Sequence, residues 1–281
     1  MPDDESMNAQ ATYARFAKFY DVYTAEYTDD IPFYLAAVAG RQSPLLEVGC
    51  GSGRVLMALL RAEHTVTGVD ISEEMLALAQ GKLKQEPLGR NGALILHDFA
   101  GGSLPGRYGA ALITFYTFNY IRPDERLVFL KNVGRSLADG APVILHLFYP
   151  AALAHPELAG QWQAKGCFRI DGENVTLYDC RRMLNGYTEE RRQRYEFGTG
   201  TSEEIQTMRY YLSPIEMTGL LNAAGFARAR VTWDMQHEHL EPMAGREGPV
   251  GEYIVVAEKM ASRGKSESVQ PDISASRQPH D

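Results

Sequence analysis

Glu47, Gly49, Gly51 and Gly53 alternate along the chain, directly after the apolar pair Leu45-Leu46 and directly before Arg54. Glycines at that spacing let a ligand touch the main chain, because no Cβ holds it away, and they tolerate the positive φ of a tight turn. A helix starting after the loop turns unbonded N–H groups and a positive dipole end toward the same place. Downstream, Thr65-Val66-Thr67-Gly68-Val69-Asp70 is a β-branched run closing on a carboxylate, an acceptor suited to both hydroxyls of a ribose. Together these residues describe a site for a nucleotide-like ligand at the ends of two strands. Spacing narrows the choice. A dinucleotide fingerprint needs G-x-G-x-x-G, but the third place here holds Arg54 and the glycine comes one residue early, at Gly53. That weakens a nicotinamide dinucleotide, although Asp70 alone does not separate it from an adenosine cofactor.

Glu-x-Gly-x-Gly-x-Gly followed by a strand ending in Asp resembles the class I S-adenosylmethionine-dependent methyltransferases. Three further stretches extend the likeness over residues 12–260: His97-Asp98-Phe99 behind a third strand, Leu112-Ile113-Thr114-Phe115 as a fourth, and Met208 to Gly225-Phe226, which is similar to the late helix of the small-molecule branch. The resemblance implies S-adenosyl-L-methionine as cofactor. It implies that Gly49 and Gly51 border the methionine part, with Gly53 in the same cofactor-binding loop, that Glu47 faces the ammonium, and that Asp70 holds the ribose. Asp98 would meet the adenine amino group, with Ile71 and Phe99 as apolar walls. Tyr20, in the pair Tyr20-Asp21, matches a tyrosine that closes over the cofactor in the family, and Tyr13 would do similar work on the acceptor side.

Methyl transfer is an in-line displacement, so most of the task is holding a nucleophile about 3–3.5 Å from the methyl carbon. A base matters only when the acceptor must lose a proton early. Phe115-Tyr116-Thr117-Phe118-Asn119-Tyr120 follows the fourth strand, and its rings suit a cationic sulfonium. Phe115 is expected on the cofactor side and Tyr116 and Asn119 on the acceptor side, with the Tyr120 hydroxyl orienting the acceptor. His146 ends the apolar run Val143-Ile144-Leu145 and is a candidate base, since histidine titrates near neutrality; packing in the core competes with that role. Arg209 is positioned to pair with a carboxylate or phosphate on the acceptor. His237-Glu238-His239 lacks a third ligand motif and reads as solvated loop, so no metal is expected. A non-catalytic S-adenosylmethionine-binding sensor and an NAD-linked oxidoreductase stay open as alternatives.

The elements that must position these groups alternate. Strand 44–49 leads to helix 53–62, strand 65–69 to helix 72–85, strand 93–97 to strand 110–115, and helix 124–138 to strand 142–148. Ser72 is an N-cap with Glu73 and Glu74 behind it, and Asp139-Gly140 stops a helix. Such alternation predicts an α/β, Rossmann-like sheet of seven mostly parallel strands covered by helices. Before it, Tyr13, Phe16, Tyr20, Tyr23 and Tyr27 recur at helical spacing. After Pro150 the pattern changes: residues 175–184 and 187–197 flank Asn185-Gly186, a strong hairpin signal, and residues 205–212 read as a further strand. The expectation is an antiparallel cap of three or four strands over residues 151–212, inserted after the fifth core strand. Core elements resume over 213–261, with the capping box Ser213-Pro214-Ile215-Glu216. Residues 1–10 and 262–281 are expected to be disordered.

Bulk properties limit the partners. A chain of 281 residues can bury one large core plus a small subdomain. The net charge of −8 argues against a nucleic acid, and no apolar run is long enough to span a bilayer. Cys50, Cys167 and Cys180 show no disulfide or zinc spacing, so a reducing cytoplasm is expected. The hairpin edges offer pairing to a second copy, which would give a homodimer.

Overall fold

The computed structural model describes residues 17, 19–22, 24, 27–42, 44–149, 159–170, 172–235, 241–242 and 251–261. Its elements are α1 (Ile31–Val38), β1 (Leu45–Val48), α2 (Arg54–Arg61), β2 (Val66–Asp70), α3 (Glu73–Gln85), β3 (Gly92–Leu96), β4 (Ala111–Ile113), α4 (Arg126–Ser136) and β5 (Pro142–Tyr149). Then come β6 (Gln163–Ile170), β7 (Glu173–Asn185), β8 (Thr188–Phe197), β9 (Ser202–Tyr210), α5 (Pro214–Ala223), β10 (Phe226–Thr232), β11 (Glu241–Pro242) and β12 (Gly251–Lys259).

The main sheet runs β11-β10-β12-β5-β4-β1-β2-β3. It is the expected mostly parallel sheet of seven strands, with the two-residue β11 added at one edge. β1 to β5 pair in parallel, while β12 is antiparallel to β5 and to β10. Strand order reverses between β1 and β4, which opens a crevice beyond their carboxyl ends. β1 and β4 are buried at every position, as a parallel sheet covered on both faces requires. One face packs Leu45, Leu112, Ile144 and Ile254 against Phe33, Tyr34 and Val38 of α1 and Leu56, Leu59 and Leu60 of α2. The other packs Leu46, Ile113, Leu145 and Val255 against Phe129 and Val133 of α4 and Met217 and Leu221 of α5.

The helix starts follow local chemistry. The Ser72 hydroxyl accepts from Met75 N at 3.2 Å. Ser213 and Glu216 close a reciprocal capping box. α2 has no side-chain cap; it begins at Gly53, held at φ 86°. An alanine Cβ there would lie 3.3 Å from Ala79 of α3 and from Met57, so the missing side chain also sets how closely α2 and α3 approach. Gly53→Ala is expected to lose about 1–2 kcal/mol, the usual cost of a left-handed alanine, read as a lower urea midpoint at unchanged slope.

A second sheet, β6-β7-β8-β9, is antiparallel and four-stranded, the upper end of the expected count. β6 escaped the sequence reading because its pattern, Gln-Ala-Lys-Gly-Cys-Phe-Arg-Ile, alternates weakly. One face carries Val175, Leu177, Tyr195 and Ile205, packed on Phe19. Three expected boundaries need correction. The aromatic stripe does not run on as one helix through Tyr27, because Tyr27 is outside the helical residues and α1 begins afresh at Ile31 with Pro32 in its first turn. β4 stops at Ile113, before Phe115, and β9 stops at Tyr210. Residues 1–10 and 262–281, Tyr13 and His237-Glu238-His239 lie outside the described residues. Among the described residues no helix is long and apolar enough to cross a membrane, and all three cysteines are free.

Candidate functional site

The glycine loop sits at the switch point and is tied to β2 from both sides. Gly49 and Cys50 donate their N–H groups to Val69 O at 2.7 and 2.9 Å. Gly51 N donates to Asp70 Oδ2 at 2.8 Å, and Ser72 N to Asp70 Oδ1 at 3.0 Å. Each Asp70 oxygen thus receives one main-chain donor and keeps lone-pair capacity for another. Burial pushes the Asp70 carboxyl up, against the opposing pull of the Ser72 and Gly51 amides. A side chain at Gly49, whose φ is 72°, would strike Thr117.

Glu47 lies under the loop and is almost fully buried. Its Oε1 accepts from Thr114 Oγ1 at 3.3 Å, and its Oε2 has no hydrogen-bond partner. Burial pushes its carboxyl up to about 8, with Arg54 and the Thr114 bond pulling the other way. A buried acceptor left without a donor costs free energy, so this oxygen awaits a donor from the crevice.

The residues before α1 form a strap across the loop. Tyr20 lays its ring 3.6 Å from the place a Gly51 Cβ would take and meets Phe115 edge-on at 6.5 Å. Asp21 fixes that pose: it accepts from Lys82 Nζ at 2.8 Å and, in a short bond, from the Ser52 hydroxyl. Arg54 supplies a second bolt, forking onto Asp30 at 2.6 and 2.7 Å. Its guanidinium also lies over the Tyr27 and Phe115 rings, 5.3 and 5.1 Å from their centroids. The residue read as a missing glycine is therefore the anchor of the N-terminal segment.

Beyond the glycine loop the chain turns sharply after β4. Phe115 and Tyr116 hold φ of 46° and 64°, left-handed values that bulky residues adopt only when the surroundings hold them there. Tyr116 N donates to His146 O at 3.1 Å, and the Tyr116 hydroxyl donates to Glu252 in a short bond. Tyr27 donates to the other Glu252 oxygen at 3.1 Å. His146 Nε2 stands 3.6 Å from that oxygen, while its Nδ1 meets the Tyr34 hydroxyl at 2.7 Å. Sequence reasoning missed Glu252, Tyr27 and Tyr34 as members of this cluster. Of the two places open to His146, near the acceptor or in the core, the structure shows the core: the ring is fully buried.

Tyr120 and Arg209 are joined. Arg209 donates from Nε at 3.0 Å and from Nη2 at 2.8 Å to the Tyr120 hydroxyl, linking the second sheet to the turn after β4. Asn119 has a different task from the acceptor contact expected of it. Its amide nitrogen donates to Phe148 O and Tyr210 O, each at 3.2 Å, and its oxygen accepts from Phe148 N at 2.9 Å. It braces β5 against the end of β9. Asn119→Ala should cost about 2 kcal/mol in thermal unfolding through the unbonded main-chain groups left behind, without altering cofactor affinity.

Two further residues sit at the end of β3. Asp98 is exposed and accepts from Ala100 N at 2.8 Å, leaving its second oxygen open. Phe99 is buried, its ring against His97 and Phe129, and so serves the core rather than an adenine wall. Ile71 is more than one-third exposed and remains available as one. His97 gives its Nε2 to Gly102 O at 3.0 Å, a turn contact.

The unpartnered Glu47 oxygen, the side-chain-free loop and the half-committed Asp70 carboxylate fit the ammonium, methionine chain and ribose of S-adenosylmethionine. Comparison with known proteins agrees. Residues 45–140 match the model of a methyltransferase domain. The chain is 30% identical over 231 residues to carboxy-S-adenosyl-L-methionine synthase of Campylobacter concisus, covering 76% of this chain and 88% of that one. It is 24% identical to dTDP-3-amino-3,4,6-trideoxy-alpha-D-glucopyranose N,N-dimethyltransferase of Streptomyces venezuelae, covering 83% and 90%. Among solved structures, the CcbJ methyltransferase of Streptomyces caelestis superposes with a TM-score of 0.68 at 22% identity, over 89% of this chain and 98% of that one.

Proposed function

This chain belongs to the class I S-adenosylmethionine-dependent methyltransferases, and we propose that it methylates O, N or C of a small organic metabolite seated between the sheet edge and the β6–β9 cap. The observation that carries the reading is the buried Glu47 oxygen without a donor at the end of β1. When bound, S-adenosylmethionine supplies an activated methyl carbon; the protein's part is to bind, align and exclude water. Glu47 takes the ammonium. Asp70 takes the ribose hydroxyls, and Asp98 and Ile71 border the adenine. Gly49 and Gly51 leave the main chain open to the methionine part, while Tyr20 covers the loop and Phe115 walls the methyl end.

Tyr120 and Tyr116 present their rings and hydroxyls to the acceptor. Arg209 keeps the Tyr120 phenol oriented and adds a buried positive charge; burial alone would lower its pKa, but the nearby Tyr120, Tyr211 and Glu189 reverse that. His146 is a positioning residue. The core spans 11–150 and 213–261 and the cap 151–212, a division that the separate antiparallel sheet β6-β7-β8-β9 supports. The names of sugar methyltransferases among the relatives support a small acceptor. The free thiols support a reducing cytoplasm, and the outer edges of β6 and β9 support pairing in a homodimer.

The test is incubation with methyl-labelled S-adenosylmethionine and a fractionated metabolite extract. Label in a small product together with S-adenosylhomocysteine is expected. Tight cofactor binding with no turnover over all fractions would favour a sensor instead.

A further inference from the structure

Glu252 is a carboxylate that, among the described residues, pairs with no lysine or arginine. It opens β12 in register with Phe148, at the same sheet edge as the glycine loop, and about one-third of its side chain is exposed. Both its oxygens accept phenol hydroxyls, from Tyr116 and Tyr27. Burial of those two phenols pushes them well above the usual tyrosine range, so they stay neutral donors. The Arg54 guanidinium beside them is committed to Asp30. Among the described residues the one ion-pair contact of Glu252 is His146 at 3.6 Å, whose Nε2 is fully buried and has no hydrogen-bond partner. Burial by itself would raise the Glu252 carboxyl, but the nearby His146 and the Tyr116 and Tyr27 hydroxyls outweigh it and hold the group below its ordinary range.

The walls around this charge are aromatic. Tyr116 stacks on Phe115 at 5.0 Å and meets Phe148 at 5.9 Å, and Tyr27 lies 5.0 Å from Phe115. A part-exposed carboxylate among aromatic rings is complementary to an onium ion, through Coulomb attraction and the negative faces of the rings. Two onium ions could claim it: the sulfonium of the cofactor and an ammonium of the acceptor. Position favours the second. β12 is three strands away from β1, roughly 14 Å across the sheet at the usual strand spacing, on the side away from Asp70.

We propose that Glu252, Tyr27, Tyr116 and Phe148 form a subsite for the protonated amino group of the methyl acceptor, with His146 and Tyr34 as positioning residues behind the carboxylate. The proposal rests on the methyltransferase reading and narrows it: the acceptor is a small amine, and a neutral alcohol of the same shape is a poor ligand.

The probes are benzylamine and benzyl alcohol, titrated by ligand-observed NMR into protein saturated with S-adenosylhomocysteine. The amine is expected to bind at least tenfold tighter than the alcohol. Glu252→Gln keeps an acceptor for a phenol hydroxyl and should erase that preference while leaving S-adenosylhomocysteine affinity within twofold. Equal binding of the two probes by the wild-type protein overturns the proposal, and so does a preference that survives in Glu252→Gln. In that last case, a variant that also loses the discrimination between cationic S-adenosylmethionine and neutral S-adenosylhomocysteine assigns the carboxylate to the sulfonium. If the variant does not fold, the wild-type amine-to-alcohol ratio decides. Failure of the wild-type protein to bind S-adenosylhomocysteine at all is a separate result and removes the methyltransferase reading itself.

Discussion

Asp70→Ala is expected to weaken S-adenosylmethionine binding roughly a thousandfold, about 4 kcal/mol. The carboxylate is at the end of β2, and each of its oxygens is half-used by one main-chain amide, from Gly51 and from Ser72. Hydrogen bonds to a charged partner contribute about 1.5–3 kcal/mol each, and the two remaining lone-pair directions suit two vicinal hydroxyls. Alanine removes both and also frees the Gly51 amide, which loosens the loop. Asp70→Asn separates these effects, because the asparagine oxygen can hold one amide while the charge is gone; a loss intermediate between wild type and alanine is expected. Calorimetric titration measures the affinities, and circular dichroism melting checks that the empty variants stay folded. An alanine variant that binds within threefold of wild type would remove Asp70 from the cofactor site.

The geometry of the glycine loop and the end of β2 was legible because its signals are local. Gly49, Gly51 and Gly53 all adopt positive φ, a demand written into residue type, and the β2 run closes on Asp70 at the strand's last residue. The cluster around Glu252 depends on pairings that span the chain. Tyr34 reaches His146 across 112 residues, and Tyr116 reaches Glu252 across 136. Glu252 carries no local mark, since a carboxylate near the start of a terminal strand ordinarily faces water. Its environment is created by β12 lying antiparallel on β5. Asn119 misled for a related reason. A polar residue among aromatics reads as a ligand contact, yet the ends of β5 and β9 leave main-chain groups that need a side-chain partner. Phe115 read as strand because its neighbours are apolar, whereas the left-handed turn it makes is imposed by packing against Tyr27, Tyr116 and Arg54.

Glu47→Gln should move stability and affinity in opposite directions, which makes it the sharper test of the site. Burial raises the Glu47 carboxyl from 4.5 to about 8. Between those values the folded protein keeps a proton that the unfolded chain has released, so the empty wild-type protein loses stability as pH rises. The slope is about 1.4 kcal/mol per pH unit, and the loss levels off above pH 8 after roughly 4–5 kcal/mol. Glutamine is neutral and nearly the same size, so the variant should lack this component and be more stable than the wild type at pH 9. Its affinity for S-adenosylmethionine should fall roughly thirtyfold, because a charge-assisted bond to the ammonium becomes a neutral one. At pH 7, wild-type binding should release a proton, seen as a buffer-dependent heat that is absent in the variant. Urea unfolding of the empty proteins at several pH values, beside titrations in two buffers, measures both arms. If the two proteins share one stability profile from pH 5 to 9, the carboxylate is already ionised in the empty crevice and does not wait there for a cationic partner.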